Sequence, residues 1–204
     1  MPLIIGTIHM VTDLFVNAYV IERNDHFVLI DTGVESTWKL IRDYLASLDR
    51  SLEDISLIIV THHHGDHTGS LRELRERTGA RVAAHLDESQ LIRSKTGINA
   101  DVLLKHGDLI DGFEVIHTPG HTPGHVALLD RASSSLFIGD LAHVEGGELH
   151  EIPHHYSMDP EGNRRSIAKL LDYDFDNLMP SHGDPILRIG RMKLEELVKE
   201  LGIS

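Results

Sequence analysis

The stretch Thr61-His-His-His-Gly-Asp-His-Thr-Gly69 gathers four side chains that can bind a metal ion: His62, His64, Asp66 and His67. Imidazole is the commonest transition-metal ligand, and imidazole together with carboxylate suits zinc, iron or manganese. In extended chain, residues two apart point the same way, so His62 and His64 can grip one ion while His63 faces elsewhere. Gly65 permits a backbone turn that re-aims Asp66 and His67 towards a second ion. Two ions need more ligands than one loop supplies. His121, Asp140 and His182 are the further candidates, each just past an apolar strand-like run.

These residues must be positioned by the elements around them. The apolar run Ser56–Val60 reads as a buried strand and residues 69–77 as an amphipathic helix, so the four donors lie on a strand-to-helix loop, where α/β folds commonly place their chemistry. Upstream, Ile4–Met10 and Leu14–Ile21 alternate as strands. His26–Asp31 adds a third, with Val20 and Val28 in one hairpin. Ser36 is placed to cap a helix whose apolar positions run from Trp38 to Leu48. A short strand at Arg81–Ala84 and a helix at Leu86–Arg93 follow, while residues 96–108 carry no clear pattern. Phe113–His117 is a strand. Two Pro-Gly pairs make Thr118–His125 a loop, and strands at Val126–Leu129 and Leu136–Ile138 lead to Gly139-Asp140. Residues 141–157, with His143, His150, His154 and His155, read as a long loop that forms a substrate wall. A helix over 160–172, a strand at Asn177–Pro180 and a helix at Leu194–Leu201 complete the chain.

The 204 residues are 41% hydrophobic and 25% charged, the balance of a water-soluble globular chain, and suffice for one domain over residues 1–204. No apolar run reaches the length of a membrane span. The opening Met-Pro-Leu-Ile-Ile-Gly lacks a basic segment followed by an apolar one, so no signal peptide is expected and a cytoplasmic location is. Absence of cysteine excludes disulfides, thiolate ligands and cysteine nucleophiles. A formal charge of −13 disfavours nucleic acid and anionic membranes as partners. The expected partner is a small molecule.

The stretch Thr61–Gly69 resembles the HxHxDH signature of the metallo-β-lactamase-fold hydrolases. Asn17-Ala-Tyr-Val-Ile21, Asp31-Thr-Gly33, Thr118-Pro-Gly-His-Thr-Pro-Gly124, Leu136-Phe-Ile-Gly-Asp140 and Pro180-Ser-His-Gly-Asp184 follow in that family's order. The resemblance implies an α+β fold, a four-layer αβ/βα sandwich of two mixed sheets with helices outside. It implies that His62, His64 and His121 hold one metal, that Asp66, His67 and His182 hold a second, and that Asp140 bridges them. It gives Asp31 the task of supporting the ligands. The implied cofactors are two divalent ions, zinc first, with iron or manganese as alternatives. Their chemistry is hydrolysis by a metal-activated hydroxide, with Asp66 also accepting a proton from the attacking water.

Departures from known subfamilies narrow the substrate to a small ester, thioester or lactone. Cysteine is absent and Asp140 is present, unlike the true β-lactamases. The Gly-Cys-Gly-Arg-like segment of glyoxalase II is absent, and only residues 183–204 follow His182, too few for that enzyme's substrate domain. Lactonases resembling this chain place a tyrosine three residues after the bridging aspartate. Here His143 stands there, able to pass a proton to a leaving alkoxide. Three readings compete: a mononuclear-iron dioxygenase, a phosphodiesterase or nuclease, and a non-catalytic metal-binding module.

Overall fold

The computed structural model describes residues 3–203; Met1 and Pro2, which open the segment read for a leader, and Ser204 lie outside them. Two compact units divide the chain, Met1–Leu104 and Lys105–Ser204. The first is built on a seven-stranded sheet in sequential order. Its strands are β1 (Leu3–Ile5), β2 (Ile8–Asp13), β3 (Val16–Glu22), β4 (Phe27–Ile30), β5 (Ile55–Val60), β6 (Arg81–His85) and β7 (Val102–Leu104). Neighbours are antiparallel from β1 to β4 and parallel from β4 to β7. Four helices serve as connections: α1 (Thr37–Ser47), the single turn α2 (Gly65–Thr68), α3 (Leu71–Thr78) and α4 (Leu86–Thr96).

Sequence pattern explains this division. Every residue of β4 is buried, as is every residue of β5 but Ser56, as expected of strands covered on both faces in a parallel region. Thr37, Ile41 and Leu45 recur every fourth residue and form the buried face of α1. Ile41 and Leu45 join Phe27, Leu29, Ile58 and Val60 in one apolar core.

The second unit carries a five-stranded sheet in the order β14-β11-β10-β9-β8, formed by β8 (Leu109–Ile110), β9 (Phe113–His117), β10 (Val126–Asp130), β11 (Ser135–Gly139) and β14 (Asn177–Pro180). Only β11 and β14 run parallel. Helices α5 (Pro160–Lys169) and α6 (Gly190–Glu200) flank a second core that includes Leu136, Ile138, Ile167, Leu178 and Leu194. No helix among the described residues is long and apolar enough to cross a membrane.

Several expectations need correction. Residues 141–157 are not a loop. They form the hairpin β12 (Ala142–Glu145) and β13 (Glu148–Glu151), followed by a 3₁₀ turn at His154–Tyr156. Ala142, Val144 and Leu149 are buried while Glu145, Glu148 and His150 are exposed, the period-two pattern of a half-buried ribbon. Gly146 and Gly147 supply the two positive φ angles, 62° and 85°, of a tight hairpin turn. Ser36 occupies the position before α1 but does not cap it; its hydroxyl donates to Asp13 instead, at 3.0 Å. The helix expected over 160–172 ends at Lys169 and tightens into a 3₁₀ turn at Leu170–Asp172, and α6 starts at Gly190, ahead of the expected Leu194. The unassigned 96–108 region contains β7.

His9 shows how the first sheet responds to acid. It is buried on β2, and its Nδ1 lies 2.7 Å from the Tyr44 hydroxyl of α1. Burial pushes its imidazole below the usual histidine range, against a smaller upward pull from Glu22. The neutral ring is therefore favoured in the folded state. Its stabilising contribution is full above the ordinary value of 6.5 and is lost as pH falls through the lowered folded value. Urea unfolding at pH 8 and at pH 5.5 should show a smaller loss of stability on acidification in His9→Gln than in the parent; equal losses would contradict it.

Candidate metal centre

In the first unit the donors follow directly on β5. His62 and His64 face each other with Nε2 and Nδ1 3.1 Å apart. The chain then turns into α2, where His67 Nε2 lies 3.7 Å from Asp66 Oδ2. His62 and His67 are fully buried, whereas His64 and Asp66 are partly exposed. Each of the two pairs expected from the sequence thus has its donor atoms side by side.

Asp31 organises both pairs. It follows β4 in the left-handed region at φ 56°, a conformation that aspartate tolerates better than most residues. Its Oδ1 accepts the Thr61 N–H at 2.8 Å, and its Oδ2 accepts the Thr61 hydroxyl at 2.7 Å and faces His67 Nδ1 at 2.8 Å. Thr61 Oγ1, its proton committed to Asp31, lies 3.1 Å from His62 Nδ1. Both rings therefore carry their proton on Nδ1 and keep a lone pair on Nε2, which is how carboxylates prepare histidine for a metal. Thr32 secures the backbone, its N–H and hydroxyl both donating to His67 O at 2.8 Å.

His63 does point elsewhere, and it has a partner that the sequence did not suggest. Its ring and its backbone N–H both meet Oε1 of Glu88, a fully buried residue of α4. A fully buried carboxylate in the first turn of a helix is a sign that something must compensate its charge.

In the second unit His121, Asp140 and His182 come together. Asp140 Oδ1 lies 3.1 Å from His182 Nε2 and Asp140 Oδ2 lies 3.4 Å from His121 Nε2, so one carboxylate faces an imidazole with each oxygen. These residues stand at the ends of elements: His121 in the loop after β9, Asp140 directly after β11 and His182 just after β14. The loop bearing His121 is tied to the start of α5. Met158 N donates to His121 O at 3.1 Å, Asp159 N to Gly120 O at 2.8 Å, and Ser166 Oγ to Pro119 O at 2.6 Å. Gly120, at φ 138°, packs so closely on Asn163 that no side chain fits there.

His125 supports Asp140. The Asp140 N–H donates to His125 Nε2 at 3.0 Å, which places the ring proton on Nδ1, 2.8 Å from the Thr118 hydroxyl. Gly139, at φ 54°, is bare because a Cβ would strike the His125 ring. His117 is not among these groups; its Nε2 lies 2.9 Å from Pro123 O.

His143 sits on β12, cross-strand from His150 with the ring centroids 5.6 Å apart. Burial pushes its imidazole below the usual histidine range, the neighbouring His150 adds to this, and Glu145 opposes it. The hairpin is locked to the His182 segment by Val144 N donating to His182 O at 2.9 Å.

This donor set fits metal ions. Two ligands bound at about 2.0–2.1 Å on a tetrahedral ion lie roughly 3.4 Å apart, and the donor separations within each unit run from 3.1 to 3.7 Å. The tautomers set by Asp31 leave lone pairs where ligands need them.

Asp31→Asn should keep the fold but remove the carboxylate that fixes both tautomers. Bound metal, measured against a competing chelator, should weaken by about 10–100-fold. Unchanged metal affinity would contradict the role given to Asp31.

The model of the metallo-β-lactamase superfamily matches residues 11–182. The chain is 31% identical to an uncharacterized protein, YobT, of Bacillus subtilis over 65% of this chain and 64% of that one. It is 37% identical to the hydroxyacylglutathione hydrolase of Pseudomonas paraeruginosa over 57% of this chain and 42% of the relative. The chain thus spans less than two thirds of the length of either. Among solved structures, the metallo-β-lactamase family protein TTHA1429 of Thermus thermophilus shares the fold at a TM-score of 0.75, with 23% identity over 96% of this chain and 79% of that one. Mixed sheets, flanking helices and the matched family model lead to one conclusion: the chain belongs to the metallo-β-lactamase superfamily.

Proposed function

We propose that the protein is a dinuclear metallo-hydrolase, with zinc as the first candidate metal, acting on a small ester, thioester or lactone. In this reading residues 1–204 work as one domain. His62, His64 and His121 would hold one ion, Asp66, His67 and His182 would hold the other, and Asp140 would be available to both. The observation that carries the reading is Asp140, which turns one oxygen to His182 and the other to His121 at 3.1 and 3.4 Å. A carboxylate that turns each oxygen to a different imidazole would be available to both ligand groups, which favours hydrolysis over mononuclear-iron chemistry.

When bound, such ions supply a hydroxide nucleophile at neutral pH and polarise the substrate carbonyl. The protein then needs no nucleophile of its own, in keeping with a chain that has no cysteine. The chain's own residues hold geometry: Asp31 through two imidazoles, His125 through the Asp140 backbone. His143 passes a proton to the departing oxygen. The thioester option gains support from a relative named hydroxyacylglutathione hydrolase, which is 37% identical over 57% of this chain.

The decisive experiment combines metal counting with a substrate panel. Protein loaded with zinc, manganese or iron is offered esters, thioesters, lactones and phosphodiesters, with His64→Ala as control. Two metal ions per chain and turnover of an acyl substrate are expected. One iron per chain with oxygen consumption, or no turnover across the panel, would overturn the proposal. Asp140→Ala should lose far more metal than His63→Ala, and equal losses would contradict the ligand assignment.

His143→Gln tests the proton donor separately. General-acid catalysis contributes about 10²–10⁴-fold. The variant should slow esters with alkyl leaving groups by at least about tenfold, and nitrophenyl esters, whose leaving group needs no proton, little. An equal effect on both would remove His143 from the mechanism.

A further inference from the structure

A cleft of about 850 Å³ opens in the first unit among α1, α2, α3 and the C-terminal end of α4. That volume suits a small molecule. Its walls include Lys39, Arg72 and Lys95, with the indole of Trp38 and the backbone of Gly65. The chain carries a net charge of −13, yet none of these three cations pairs with a carboxylate among the described residues. Of the two acids in the cleft, Glu73 is occupied by Arg77, whose Nε donates to it at 2.7 Å; only Glu35 remains.

The arrangement is partly fixed in advance. The Arg72 guanidinium donates to Thr96 O at the end of α4, which anchors it across the cleft. Lys95 reaches the Gly65 turn, its Nζ about van der Waals distance, 3.6 Å, from where a Cβ on Gly65 would stand. Trp38 is half-buried, with the Arg77 guanidinium 4.1 Å from its ring centre. With Glu73 paired to Arg77, three cations face a single unpaired carboxylate in this cleft, an excess of positive charge that an anion relieves. Guanidinium and ammonium donors match phosphoryl oxygens. The volume exceeds that of a bare ion and leaves room for an organic portion beside the indole.

We infer that this cleft is a binding site for a small organic phosphate, its phosphoryl group held by Lys39, Arg72 and Lys95 and its apolar portion laid against Trp38. The site is separate in chemistry from the proposed metal centre, and the inference stands whether or not that proposal does.

Trp38 is the sole tryptophan of the chain, so its fluorescence reports on this cleft directly. The protein, with metal added and with metal removed by a chelator, is titrated at constant ionic strength with inorganic phosphate, with phenylphosphonate and with benzyl alcohol. Saturable changes are expected with both anions, tighter for phenylphosphonate, and none with benzyl alcohol. The double variant Lys39→Glu/Lys95→Glu, shown by circular dichroism and thermal unfolding to be folded, should bind phenylphosphonate at least tenfold more weakly. No saturable change in the parent, or equal affinity in the double variant, would overturn the site. Inorganic phosphate binding as tightly as phenylphosphonate would overturn the role of Trp38.

Discussion

The buried carboxylate of Asp31 is the interaction on which the rest of the first unit's chemistry depends. It is 1% exposed and satisfies a backbone N–H, a hydroxyl and an imidazole N–H together. An ionised carboxylate in such a place is tolerable only because several donors converge on it. In return it dictates the tautomers of two histidines on either side of a turn, one in each proposed ligand group. The left-handed backbone at residue 31 is what turns the side chain from the end of β4 towards the end of β5.

The second unit solves the same problem differently. Its donors come from three separate segments, and what aligns them is backbone support. His125 receives the Asp140 N–H, α5 receives the His121 loop, and the β12–β13 hairpin grips the carbonyl of His182. Bare Cα atoms at 120 and 139 let these pieces approach to contact. In both units the donors stand just past strand ends, where the sheet is rigid and the loops are free to vary.

Much of this was legible in the sequence, for physical reasons that can be named. The short apolar run Ser56–Val60 reads as a buried strand, and a histidine-rich turn directly after it reads as a cluster of ligands. The alternation of His62, His63 and His64 separated two imidazoles that face each other from a ring turned away. What stayed hidden were partners distant in sequence. Nothing near His63 announces Glu88, because a charged residue in an ordinary helical pattern reads as solvent-facing until the fold buries it. The hairpin at residues 142–151 was obscured by its histidines, although its alternation and Gly-Gly turn were available to be read. Ser36 shows the converse: the right residue at a helix start, with its hydroxyl drawn off by Asp13, a competitor from another strand.

The Glu88–His63 contact bears on what a metal ion would meet in this loop. Where a metal is the only thing holding a loop in shape, as in small zinc-binding modules, binding and folding are one event and chelation unfolds the protein. Here the turn between β5 and α2 is pinned by protein groups on both flanks, Asp31 on one side and Glu88 on the other. Its shape is a property of the polypeptide. An ion taken up at the proposed centre would enter a receptacle already shaped by the protein, so its removal would leave the turn standing instead of unfolding it.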